Sequence, residues 1–184
     1  MSDVPSFLAA WDDRTNPEHA EHVEIYQTVY GNLNNTGQVG NYDGHALSPL
    51  HAQFLQAIEP GVRDMVLFFV QQKGWVTYTS CEGHRYDAQT RLHPVERHVG
   101  LLPRTTTEYQ QIRAFIKEAI DEYNRQYMRF PITLTMVELT LSSEQSTHQA
   151  IDVFFTKQRL APWWWYFTSL PMIYQGVVNI MMSE

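Results

Sequence analysis

The residues best suited to chemistry in this chain lie between Thr79 and His98, where a thiol, three imidazoles and several charges crowd a short interval. Cys81 and His84 have the Cys-x-x-His spacing that lets one turn direct a thiolate and an imidazole at a single ion. His93 and His98 add two nitrogens, so the expected metal set is Cys81, His84, His93 and His98, with zinc as the cofactor. The spacing departs from the usual zinc signatures, because His93 and His98 do not form a close couple and Pro94 stands between them. The same residues offer a second chemistry. Cys81 is a candidate nucleophile with His84 or His98 as its base, since a neighbouring imidazolium raises the thiolate fraction. Glu82 is a candidate general base toward a metal-bound water, which makes Cys81, Glu82 and His84 the expected catalytic group.

Arg85, Arg91, Arg97 and Arg104 surround this interval and give an otherwise acidic chain a local positive field. A small anionic ligand, phosphorylated or nucleotide-like, fits that field. The plainer alternative is a polar loop whose arginines pair with Glu82, Asp87 and Glu96 at the surface, where such pairs contribute little.

Elements that position the interval follow from local signals. Asn16-Pro17 predicts a helix from Pro17 to about Tyr30, as the N-terminal helical region, and Gly31 to Gly44 reads as a long loop. Ser48-Pro49 predicts a second helical segment to Ile58, broken at Pro60-Gly61 and resumed to Lys73 with Gly74 as its cap. Trp75 to Thr79 and Val99 to Leu102 read as strands of one hairpin. The Thr105-x-x-Glu108 capping box opens a helix whose apolar residues recur from Tyr109 to Tyr127. Ile132 to Leu141, with a bulge expected near Met136, and Ile151 to Phe155 form a second hairpin. The fold class is therefore α+β over residues 1–184 as one domain: an antiparallel or mixed four-stranded sheet of two hairpins, with helices packed on one face.

Thr79 to His84 resembles the Ser-Ser-Cys-Ser-Gly-Arg segment of the wybutosine-synthesis methyltransferase family, with Ser80, Cys81 and Gly83 matching and His84 replacing the arginine. The resemblance spans these six residues, and it implies only that a Ser-Cys-x-Gly turn after a strand can face a substrate.

Composition narrows the setting. Apolar residues at 43% against charged residues at 18% supply a core and argue against disorder. A net charge of -7 opposes an extended nucleic-acid surface, which would be basic. Cys81 is the single cysteine, so no internal disulfide forms, and a start with neither a basic segment nor an apolar run gives no secretion signal; a cytoplasmic location is expected. The uncharged stretch from Ala161 to Met182 is broken by Pro162, Pro171 and polar residues, which favours core or interface over a membrane span. There is no phosphate-binding glycine motif, no His-Glu-x-x-His and no Gly-x-Ser-x-Gly. His19 and His22, His45 and His51, and His148 are lesser candidates, the last as a turn residue. The expectation is a ligand-binding or catalytic site in the Cys81 to His98 loop. The rival is a noncatalytic subunit that docks through its Trp-rich C-terminal segment, as a homo-oligomer or on a protein partner.

Overall fold

The computed structural model describes residues 4–28, 31–34, 46–85, 87–89, 91, 93–142 and 147–183. The first element is a helix, α1 (Val4–Asp12), which buries Val4 and Trp11. Asn16 caps as expected, its side chain accepting from Glu18 N–H, but only a 3-10 turn (Pro17–Ala20) follows. The expected helix to Tyr30 is replaced by strand β1 (Ile25–Thr28), paired antiparallel with β2 (Gly31–Asn34) in the segment read as loop. Isoleucine and threonine suit a strand better than a helix, and here the pairing partner decides.

The segment opened by Ser48-Pro49 is helical only at its end, as α2 (Phe54–Ala57). Ser48 instead donates its hydroxyl to the Trp11 carbonyl at 2.8 Å, which ties the turn to α1. A turn at Pro60–Val62 leads into α3 (Arg63–Leu67), continued as one wide π turn (Phe68–Gln72) that ends at Gly74, with φ +70°. Met65, Val66 and Phe69 point into the core from this segment.

Strands β3 (Thr77–Cys81) and β4 (His98–Leu101) form the first hairpin, and β5 (Ile132–Ser142) and β6 (Thr147–Lys157) the second. β4 pairs with β6, so the sheet runs β3-β4-β6-β5 and every pairing is antiparallel. The bulge expected near Met136 is absent, because β5 and β6 keep register from Ile132↔Lys157 to Ser142↔Thr147. The apolar shift to Val137, Leu139 and Leu141 has another cause. Glu138 turns toward the helices, where Tyr109 and Arg113 bind its carboxylate, so the apolar neighbours take the other face. The irregularity of the sheet falls in β3 instead, between Thr77 and Thr79.

Between the hairpins runs α4 (Thr106–Gln126), started by Thr105 Oγ1 accepting from Glu108 N–H at 3.1 Å. Its inner residues Tyr109, Ile112, Ile116, Ala119 and Tyr123 pack against one sheet face together with α5 (Trp163–Ser183). Pro171 removes one backbone hydrogen bond within α5, but burial of Tyr166, Leu170, Ile173, Tyr174 and Val177 keeps the helix docked. The outer side of α5 leaves Trp164 and Met172 more than half exposed. No helix among the described residues is long and apolar enough to cross a membrane.

On the sheet face away from Val99 and Val153, Gly100 allows Tyr78 to lie against the strand and donate its hydroxyl to Asp152 at 2.7 Å. A Cβ at Gly100 would stand 2.5 Å from Asp152 Oδ1 and 2.6 Å from the Tyr78 ring. Gly100→Ala is expected to lower stability by about 1–3 kcal/mol through this overpacking. Urea unfolding of the two proteins measures it, and an unchanged midpoint would contradict the close approach.

Candidate functional site

The site begins where β3 ends. Cys81 is the last strand residue and faces His98 across the β3–β4 ladder, while its thiol accepts from Gly83 N–H at 3.4 Å. Gly83 has φ +85°, a conformation that side chains disfavour, and it turns the chain back on itself. That turn delivers His84, whose backbone exchanges hydrogen bonds with Val95 at 3.0 and 2.9 Å.

The third member comes from elsewhere in the chain. Glu59, in the break between α2 and α3, sends its carboxylate to the same point; its Oε1 lies 3.3 Å from His84 Nε2. One donor atom each from Glu59, Cys81 and His84 lies within 4.8 Å of the others, the single group of three among the described residues that could hold a metal ion. In a tetrahedral zinc site such atoms stand about 3–4 Å apart, so a small closing movement would complete the geometry. The donor set is also chemically apt: a thiolate, an imidazole and a carboxylate are all zinc ligands.

Two backbone amides orient the carboxylates. Glu82 N–H donates to Glu59 Oε2 at 2.8 Å, leaving Oε1 for His84, and Gly61 N–H donates to Glu82 Oε2 at 2.7 Å. Glu59 is only 6% exposed, so this bond and the imidazole offset a substantial desolvation cost. His84 Nε2 is buried, and although it contacts Glu59 it lacks the alignment of a hydrogen bond. A protonated imidazole there pairs with the Glu59 carboxylate, and a metal ion would have to displace that proton. Cys81 and then Glu59 raise the His84 pKa from 6.5 to about 10, against the opposing effect of burial.

The structure distributes the remaining sequence candidates. Arg97 belongs to the site's surroundings: it is 7% exposed, its Nε donates to the Glu82 carbonyl at 2.9 Å, and its guanidinium lies 4.6 Å from the Tyr174 ring centre. Its backbone N–H donates to Tyr166 Oη, which in turn donates to the Phe155 carbonyl. Arg85 is exposed and lies over Phe167, and Arg91 is exposed with φ +58°. Arg104 grips Asp12 through two bonds of 2.7 Å and also reaches Glu108 and the Gly74 carbonyl, so it fastens α1 to the start of α4. His93 is exposed. His98 sits within β4 and stacks on Phe154 at 5.0 Å, and burial lowers its pKa. Neither His93 nor His98 is in the three-donor group.

His19, His22 and His51 line a cleft beside α1, where Gln53 N–H donates to His51 Nδ1 and burial lowers the His51 pKa. His45 lies outside the described residues. His148 lies on β6, with Nε2 2.5 Å from the Pro103 carbonyl, rather than in a turn. Glu59 escapes sequence reading because its signal, a glutamate before Pro60-Gly61, looks like an ordinary helix break. No family model matches the chain, and no curated protein or solved structure matches it either.

The His84 shift has a consequence for stability. Its folded pKa of about 10 exceeds the unfolded 6.5, so the folded metal-free protein holds the proton more tightly. This stabilisation is complete below about pH 6.5 and is lost as pH rises through about 10. Chelator-treated protein is therefore expected to lose urea resistance between pH 7 and 10, with a weaker loss in His84→Gln. Parallel pH profiles for the two proteins would refute the linkage.

Proposed function

We propose that the protein is a zinc protein in which Glu59, Cys81 and His84 hold one ion and leave its fourth position open to water or a ligand. The observation that carries this reading is the convergence of three different zinc-ligand types, two of them buried, within 4.8 Å of one another. Three protein ligands with an open position is the arrangement of catalytic rather than structural zinc. Supporting it, the buried His84 Nε2 faces the Glu59 carboxylate at 3.3 Å, and backbone amides orient Glu59 and Cys81 from outside. The Glu82 carboxylate, with one oxygen fixed by Gly61, is the neighbouring group suited to take a proton from bound water. A reducing, cytoplasmic setting accords with a thiolate ligand that must stay unoxidised.

A second reading rests on the same geometry without metal. The Cys81 thiol and the Glu59 carboxylate both act on the His84 imidazole, the residue types of a nucleophile, base and acid.

Elemental analysis of untagged protein separates the two. The zinc reading expects about one equivalent per chain, reduced at least tenfold in Cys81→Ala and His84→Ala, and a lower Tm after chelation. Less than a tenth of an equivalent, with melting unchanged by chelator, would overturn it. The nucleophile reading then requires Cys81 to alkylate with iodoacetamide faster than a free thiol at neutral pH, and to lose that advantage in His84→Gln.

A further inference from the structure

The sheet ends at β5, which pairs with β6 on one side and with no strand on the other. Backbone groups that point away from β6 recur at every second residue. Asn124 marks their phase, because its side chain accepts from Leu134 N–H and donates to the Leu134 carbonyl, both at 3.2 Å. Leu134 therefore faces away from β6, and Met136, Glu138, Thr140 and Ser142 follow it in the same phase. Among the described residues, no backbone group bonds to these from beyond the edge. Val137, Glu138, Thr140 and Ser142 are exposed. The devices that guard a long edge are missing: β5 has no proline, no lysine and no bulge, and its one charge, Glu138, is tied to Arg113 on the helix side. On the other face Val137, Leu139 and Leu141 form an apolar row, of which Val137 is 38% exposed.

Unpaired main-chain groups beside an apolar row accept another strand. The strand that fits is β5 itself. Only a two-fold axis through Leu139 gives every outward residue from Met136 to Ser142 a partner, with Met136 opposite Ser142 and Glu138 opposite Thr140 of the second copy. In that register Leu139 meets its own copy and Val137 meets Leu141 on the apolar face, while each Glu138 carboxylate meets a threonine rather than a like charge. An axis through Glu138 would oppose the two carboxylates and set Ser142 against Leu134, whose backbone groups Asn124 already holds. We infer that β5 is the self-association surface of this protein, two copies pairing their β5 edges antiparallel about Leu139 and so joining their sheets into one. β5 carries none of Glu59, Cys81 and His84, so the pairing stands or falls apart from the zinc reading.

Sedimentation equilibrium of the untagged full chain tests it, and a reversible monomer–dimer equilibrium is expected. Thr140→Glu, which sets a carboxylate opposite Glu138 on both sides of the axis, is expected to weaken the dimer about tenfold. Thr140→Lys, which sets an opposite charge there, is expected to leave it as tight or tighter. Thr140 is exposed, so both variants are expected to keep the fold, which circular dichroism checks. Leu139→Cys chains treated with diamide are expected to join by a disulfide, because the axis holds these residues opposite one another within reach of one. Val137→Cys chains, held apart by the register, are not; the native Cys81 is buried, and the parent chain is the control. A monomer mass at every soluble concentration overturns the pairing and leaves the edge to a strand of another protein. A dimer equally tight in both Thr140 variants, or one in which Val137→Cys cross-links as readily as Leu139→Cys, overturns it as well, since either result places the contact elsewhere.

Discussion

Two hydrogen bonds running in opposite directions clasp the Glu59–Gly61 turn to the end of β3, and the site exists only because of them. Glu82 donates its amide to Glu59, and Gly61 donates its amide to Glu82. Each carboxylate thus has one oxygen fixed by backbone, and Glu59 turns its other oxygen to His84. Amide donors favour the ionised carboxylate without adding a counter-charge, which is how Glu59 can be buried and still be presented toward His84. The clasp also determines the spacing of the group. Cys81 and His84 are neighbours along the turn, so one firm attachment to the Glu59 segment brings all three donors together.

The surrounding fold supplies the stiffness that such an arrangement needs. Tyr166 from α5 bridges the Arg97 amide and the Phe155 carbonyl, and the Phe155 amide donates to the Arg97 carbonyl. These bonds extend the β4–β6 pairing just beyond His98 and anchor the strand that returns from the site loop. Tyr174, one helical turn pair further along α5, accepts from Met65 N–H in α3 and stacks against the Arg97 guanidinium. One helix therefore secures both sides of the clasp, the segment after Glu59 and the strand beside Cys81. Side chains mounted on such supports keep their geometry better than those of a free loop.

Burial of charge is concentrated at this place. Glu59 and Arg97 are among the most enclosed charged residues described, yet they are not paired with each other. Elsewhere the ion pairs are of the ordinary kind, such as Arg113 with Glu138 and Arg104 with Asp12, each partly in water. The Glu59 carboxylate is held by the Glu82 amide and His84, and the Arg97 guanidinium by the Glu82 carbonyl and the Tyr174 ring, so both enclosed charges rest on partners other than an opposite side-chain charge of the strong acid–base kind.

Much of the architecture was readable in the order of the residues. The Thr105 to Glu108 cap, the apolar spacing through Tyr123, the Gly74 stop and the alternation in β5 and β6 act within a turn or a strand, so local chemistry decides them. The Cys81 to His84 turn belongs with them, because a glycine between a thiol and an imidazole marks a reversal wherever it stands. What the sequence could not declare is everything that depends on distance along the chain. Ile25 to Thr28 became a strand because a partner lay beside it, and β4 pairs with β6 rather than β5, a segment about fifty residues of chain away. Glu59 joined the site across a separation of 23 residues from the amide that holds it. Arg97 differs from the exposed Arg85 and Arg91 by burial, which is a property of the packed whole. Residue types thus determined which chemistry was available, while tertiary packing decided which of those groups meet, because proximity and desolvation arise only when distant segments close on one another.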